Sequence, residues 1–156
     1  MAVHTRIVSV LLLALTGLSL LTSCSSSSPT GPVLGDLLFS PGNVQLTGDQ
    51  RSTVVALRNV SQSSLGPANV GIHSNVTLVG DPDELCDGIQ AQIVGSPVPV
   101  LAPGTESNID ITLDMSGVNA IDCPPGRYNA PFRAAVGADI LASNLFIEFD
   151  WDGTPP

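Results

Sequence analysis

Few side chains in this sequence can do chemistry, and their spacing limits what that chemistry could be. Histidine occurs only at positions 4 and 73. A Ser-His-Asp or Cys-His relay would have to be built on His73. That residue falls between Ile72 and Ser74, on the polar side of an alternating run and beside no nucleophile motif, so it reads as an exposed strand histidine. Zinc needs three or four nitrogen or sulfur ligands, which one internal His and the distant Cys86 and Cys123 do not supply. Asp81, Asp83, Glu84 and Asp87 crowd the stretch Asp81-Pro82-Asp83-Glu84-Leu85-Cys86-Asp87 and form a weak calcium candidate. Calcium takes six to eight oxygens, yet the spacing is not that of a helix-loop-helix site, and an acidic loop is more simply solvated. Asp150-Trp151-Asp152-Gly153 is a shorter case of the same kind. The expectation is no metal and no cofactor.

Asp110 and Asp114 share a strand face with Asn108 and Thr112. A glycosidase pair needs a cleft and one raised pKa, and a polar sheet face explains these acids with fewer assumptions. Gly-rich phosphate loops are absent, and there is no lysine to contact phosphate. No catalytic residue is expected, so the protein reads as a non-enzyme. Trp151 could serve as a platform for a sugar ring. Its alternation with Leu145, Ile147 and Phe149 instead places it on a buried face. Phe146 points the other way, beside Glu148, and hints at a contact surface.

What must position these residues is a set of strands. Fifteen glycines and thirteen prolines interrupt the chain too often for long helices, and no window repeats with a helical period. Period-two alternation recurs instead: Val70, Ile72, Ser74, Val76 and Leu78; Ile109, Ile111, Leu113 and Met115; Tyr128, Ala130, Phe132, Ala134 and Val136; then Leu145 to Trp151. Shorter candidates are Val44 to Thr47, Thr53 to Val60, Ile89 to Val94 and Val98 to Leu101. Roughly seven to nine strands with one buried face predict an all-β chain, a single antiparallel β-sandwich. Pro131 lies inside the third run and cannot donate to a ladder, so a bulge or a free edge is expected there. Fourteen acids against five bases give a net charge of −9, which argues against nucleic acid as a partner.

The first residues carry a different signal. His4 and Arg6 precede an almost unbroken apolar run from Ile7 to Leu21. That run is short for a membrane span, which needs roughly 18–20 residues, and suits a secretory leader. It closes on Leu21-Thr22-Ser23-Cys24, which resembles the lipobox of bacterial lipoproteins. The resemblance implies a signal peptide over 1–23, a diacylglyceryl group on the Cys24 thiol, cleavage just before it and acylation of the new amino terminus. It also implies the cell envelope, anchored to a membrane by lipid, with Ser25 in place of Asp favouring an outer membrane over an inner one. Residues 24–35, rich in Ser, Pro and Gly, read as a flexible tether of about 40 Å fully extended. Residues 36–156 form the folded domain.

Within that domain, Val55-Ala56-Leu57-Arg58-Asn59-Val60-Ser61, Leu101-Ala102-Pro103-Gly104 and Pro125-Gly126-Arg127-Tyr128 resemble bacterial immunoglobulin-like modules of the Hydin-like and CARDB types. The resemblance implies an immunoglobulin-like sandwich with Tyr128 as a structural corner tyrosine. It also implies a stalk, spacer or contact module whose partner is another envelope protein or a surface polymer. The alternative is a carbohydrate- or small-ligand-binding lipoprotein, which would need Trp151 or Tyr128 exposed. Outside the membrane the compartment is oxidising, and assigning Cys24 to lipid leaves Cys86 and Cys123 as an even pair. A disulfide is expected between the loop before Ile89 and the loop before Tyr128.

Overall fold

Alternation along the chain becomes a two-layer structure in the computed structural model, which describes residues 31–118, 121 and 123–154. The leader expected at 1–23, the acylation candidate Cys24 and the expected tether up to residue 30 lie outside the described residues. Ten strands follow one another: β1 (Leu37–Ser40), β2 (Asn43–Gln45), β3 (Ser52–Asn59), β4 (Asn69–Ile72), β5 (Thr77–Leu78), β6 (Asp81–Leu85), β7 (Gln90–Val94), β8 (Glu106–Asp114), β9 (Gly126–Val136) and β10 (Asp139–Trp151). One sheet has the order β1-β3-β8-β7; the other has β2-β10-β9-β5-β6, with β4 also pairing β9. Four strands facing a set built on the last two hairpin strands is the immunoglobulin-like strand order. All pairings are antiparallel except β2 with β10.

The three longest strands alternate as their sequences require. Ile109, Ile111 and Leu113 of β8 face Tyr128, Ala130, Phe132 and Ala134 of β9, and Leu145, Ile147, Phe149 and Trp151 of β10, in one buried core. Each large apolar side chain removed from water contributes about 1.5–3 kcal/mol. Tyr128 and Phe149 sit opposite each other in register and stack with ring centroids 6.1 Å apart.

The run from Val70 to Leu78 is not one strand. It breaks into β4 and β5, and the cause lies on β9. Ile72 pairs Phe132 and Thr77 pairs Asn129, so β9 spends fewer residues than its neighbour between the two pairs. Between them Pro131 accepts a hydrogen bond from the His73 N–H but has no N–H to return. The neighbouring chain bulges out at the missing donor, which meets the expectation for Pro131. Val98 to Leu101 is likewise not a strand but two isolated bridges, Leu65 with Leu101 and Ala68 with Val98. Pro67 and Pro99 lie between those bridges and supply no donors.

Two asparagines close the sandwich. Asn59, the one buried polar residue of the described core, uses its whole amide. Its Nδ2 donates to the carbonyls of Ser63 (2.7 Å) and Leu101 (2.8 Å), and its Oδ1 accepts from the N–H (2.9 Å) and hydroxyl (2.8 Å) of Ser61. Its backbone carbonyl accepts from Gly104 N–H. The asparagine of the first quoted motif thus pins the Leu101-Ala102-Pro103-Gly104 turn of the second. Asn144 on β10 works between sheets: Phe39 of β1 donates to its Oδ1 and accepts from its Nδ2, both at 3.0 Å.

Candidate functional site

The end of the sandwich that holds the cysteines is fastened by a disulfide and by the side chains of Tyr128 and Trp151. Cys86 directly follows β6 and Cys123 lies in the segment ahead of β9. They form a disulfide with Cα atoms 4.7 Å apart and a sequence separation of 37. Both are buried, and the bond joins two connections at the sandwich end, as expected, rather than two core strands. The Tyr128 hydroxyl donates to the Pro124 carbonyl at 2.7 Å, the corner-tyrosine arrangement. The Trp151 Nε1–H donates to the Cys123 carbonyl at 2.8 Å. Burial, with the nearby charge of Glu84 adding to it, pushes the Tyr128 hydroxyl above its usual pKa. Gly88, at φ 88°, lets this end close: a Cβ there would run into the carbonyl oxygen of Gly117.

Trp151 is 4 % exposed, so it offers no open platform. A depression of about 420 Å³ does reach its edge, between Asp49, Arg51, Asp114, Met115 and Asp152. Arg51, Asp114 and Asp152 serve their own turns there. Arg51 Nη1 donates to the carbonyls of Gly48 (2.8 Å) and Gln50 (2.9 Å). Asp114 accepts from the Ser116 N–H (3.0 Å), and that bond, reinforced by the Ser116 hydroxyl, holds its carboxyl below the usual range. Asp152 accepts from the Thr154 N–H at 2.8 Å. These are side-chain caps of tight turns.

The other candidates are dispersed. His73 is exposed just past β4. Asp110 and Asp114 stand four positions apart along β8, about 13 Å at strand rise, wider than a glycosidase pair allows. The stretch expected as an acidic loop is largely a strand, β6. It escapes an alternation test because an edge strand wet on both sides shows no apolar period. Thr77 pairs Leu85 and Leu78 pairs Asp81, so Pro82, Asp83 and Glu84 lie in an irregular stretch between the two pairs, and Asp87 lies beyond Cys86 of the disulfide. Among the described residues no three His, Cys, Asp or Glu side chains gather into a group that could hold a metal ion.

The outer face of the β9–β10 sheet carries a polar ladder. Arg127 Nε lies 3.0 Å from Asp150 Oδ1, and its Nη1 lies 4.0 Å from Glu148 Oε2, which also accepts from Gln45 Nε2 at 3.1 Å. The Arg127 bond, ahead of charge alone, holds the Asp150 carboxyl below the usual range. Phe146 emerges beside this ladder at 38 % exposure, as its strand parity predicts. Sequence reasoning missed the Asn144 clasp. Its only signal is an amide where the β10 alternation slips, in the irregular stretch between Ala142 and Leu145.

No family model matches the chain, and no curated protein does. Solved structures do. The periplasmic chaperone SfaE aligns at 14 % identity and TM-score 0.40, over 72 % of this chain and 55 % of that one. The CooA pilin subunit from enterotoxigenic Escherichia coli aligns at 13 % identity and TM-score 0.43, over 75 % and 97 %. The CsuC–CsuE chaperone–tip adhesion subunit complex of Acinetobacter baumannii aligns at 16 % and 0.39, over 72 % and 55 %. The chain spans about half the length of the chaperone SfaE that it matches. The fold assignment itself rests on the strand order and register.

Proposed function

We propose that the protein is a bacterial lipoprotein, held in the cell envelope by acyl chains on Cys24, whose immunoglobulin-like sandwich acts without catalysis as an interaction or structural module. The observation that carries this reading is the apolar run ending on Leu21-Thr22-Ser23-Cys24. The folded part supports it. The side chains that a ligand-binding reading would need, Tyr128 and Trp151, are internal struts of the disulfide-bearing end. The Asp114 and Asp152 carboxylates beside the depression cap their own turns. In this reading the lipid fixes the location, the tether sets the reach, and the sandwich presents an outer face or an edge to another envelope protein or a surface polymer. Removing the leader removes Arg6, leaving four arginines against fourteen acids, so an anionic membrane surface repels the body and the lipid supplies the hold. Two or three acyl chains suffice for a lasting anchor, whereas one is marginal at about 0.8 kcal/mol per buried methylene.

Intact-mass analysis of the native protein tests the anchor. A mature chain beginning at Cys24 with a diacylglyceryl increment is the expected result, and Cys24→Ser should leave the protein unprocessed or free of membranes. An unmodified Cys24 in the native protein overturns the reading.

A further inference from the structure

The sandwich has five edge strands, β1 and β7 on one sheet and β2, β4 and β6 on the other, and they are not equally protected. Exposed edges invite strand addition, and natural proteins guard them with proline, charge or brevity. On one sheet β2 is three residues long, β6 carries Pro82 with Asp81, Asp83 and Glu84, and β4 is four residues long with its Val70 N–H taken by the Ser96 hydroxyl at 3.1 Å. On the other, β1 is four residues long and runs into Pro41. The remaining edge, β7, reads Gln90-Ala91-Gln92-Ile93-Val94, with neither charge nor proline, and Val94 is 69 % exposed.

The register tells which of its backbone groups are free. Leu113 N–H donates to Arg51 on the β3 side, so Leu113 and Ile111 turn toward β3, while Asp110, Thr112 and Asp114 turn toward β7. Those three stand opposite Val94, Gln92 and Gln90. Ala91 and Ile93 therefore direct their N–H and C=O groups away from β8, at the end of the sheet. Asp110 and Asp114 flank the β7 strip from β8, and the described salt bridges are made by Arg127, on the other sheet. A strand added beside β7 would lie about 10 Å from β8, within reach of a lysine or arginine laid over Val94 or Gln90. A second copy of this acidic chain would bring net like charge.

We infer that the β7 edge is a strand-addition site for an extended segment of another protein, one alternating apolar residues with basic ones. Main-chain bonds to Ala91 and Ile93 supply the hold, and Asp110 and Asp114 select the basic side chains. This inference rests on the reading of the protein as an interaction module and names the surface and the partner chemistry.

The test uses the full chain in detergent and a short capped fluorescent peptide alternating valine and lysine. Expected results are saturable binding, slowed amide exchange at Ala91 and Ile93, and binding weaker by roughly tenfold or more for a peptide of the same charge interrupted by proline. Gln92→Lys should weaken and Gln92→Glu should tighten binding by about threefold, the size of one surface charge contact, and neither exposed substitution endangers folding. Equal binding of the proline-interrupted peptide would mean simple attraction of a polycation to an acidic body and overturns the inference. So does concentration-dependent dimerisation through β7 that excludes the peptide. A failed edge leaves the lipid on Cys24 unaffected, and a failed anchor leaves peptide binding unaffected, so the two readings fail separately.

Discussion

The indole of Trp151, at the end of β10, donates to the backbone carbonyl of Cys123 at 2.8 Å, so the only tryptophan of the chain holds one half of its disulfide in place. Tyr128 does the same one residue along, through Pro124. The last strand and the last corner thus both fasten the segment that the disulfide fastens from the other side.

Trp151→Phe keeps most of the apolar volume and deletes the donor. The buried Cys123 carbonyl is then left unpaired, which costs about 1–3 kcal/mol. Urea denaturation should show this loss; in the parent protein the native Trp151 emission should be blue-shifted and unmoved by added sugars. Red-shifted emission that responds to a sugar would restore the ligand-binding alternative.

Much of this end was legible in the sequence, for a physical reason. Leu145 to Trp151 alternate cleanly because one face is fully buried, and that parity alone predicts where Trp151 goes. Where no face is fully buried, the signal disappears. Strand β6 pairs at a wet edge, so Asp81 to Leu85 look like a loop. The break in Val70 to Leu78 is invisible for a different reason: its cause, Pro131, sits on another strand far along the chain. The Asn144 clasp and the unguarded β7 edge depend on which elements become neighbours, which periodicity does not encode.

The disulfide closes a loop with a sequence separation of 37, worth about 3.8 kcal/mol in the chain-entropy treatment. Replacing both cysteines by alanine should lower stability by up to that amount. Thiol titration of the unfolded, unreduced mature protein should find no free sulfhydryl; finding two refutes the pairing in the native protein. Trp151 and the disulfide restrain one segment, so their losses should not add. In the cysteine-free background Trp151→Phe should cost less than it does alone.

Asp150 sets a pH dependence. Arg127 holds its carboxyl below the ordinary range, so the folded state binds this proton less readily than the unfolded chain. Its contribution is therefore present above the unfolded value, about 3.9, and is lost as pH falls through the depressed folded value. Asp150→Asn should be less stable than the parent at neutral pH, and the two should converge in acid. Because the pair is largely solvated, added salt should shrink the gap. A gap that persists unchanged below the folded value would assign the effect to something other than the Arg127 bond.

Asn59 is the residue whose replacement should be felt most for its size. Its side chain makes four hydrogen bonds while fully buried, and they tie the end of β3 to the Leu101-Ala102-Pro103-Gly104 turn that leads into β8. Asn59→Leu removes every one of them, while the Leu101 carbonyl keeps the Leu65 N–H (3.0 Å) and the Ser63 carbonyl keeps the Ser61 hydroxyl (2.9 Å). Each hydrogen bond contributes about 0.5–1.5 kcal/mol net, so with four removed a loss of roughly 2 kcal/mol or more is expected in denaturant unfolding. Asn59→Asp separates the two halves of the amide. The carboxylate can still accept from Ser61, but at neutral pH it has no donor for Leu101 and Ser63 and sets a buried charge against their carbonyls. Protonation returns one donor and removes the charge, so this variant should lose less stability relative to the parent in mild acid than at neutral pH. If Asn59→Asp were as stable as the parent at neutral pH, the Nδ2 bonds to Leu101 and Ser63 would not be what holds the turn.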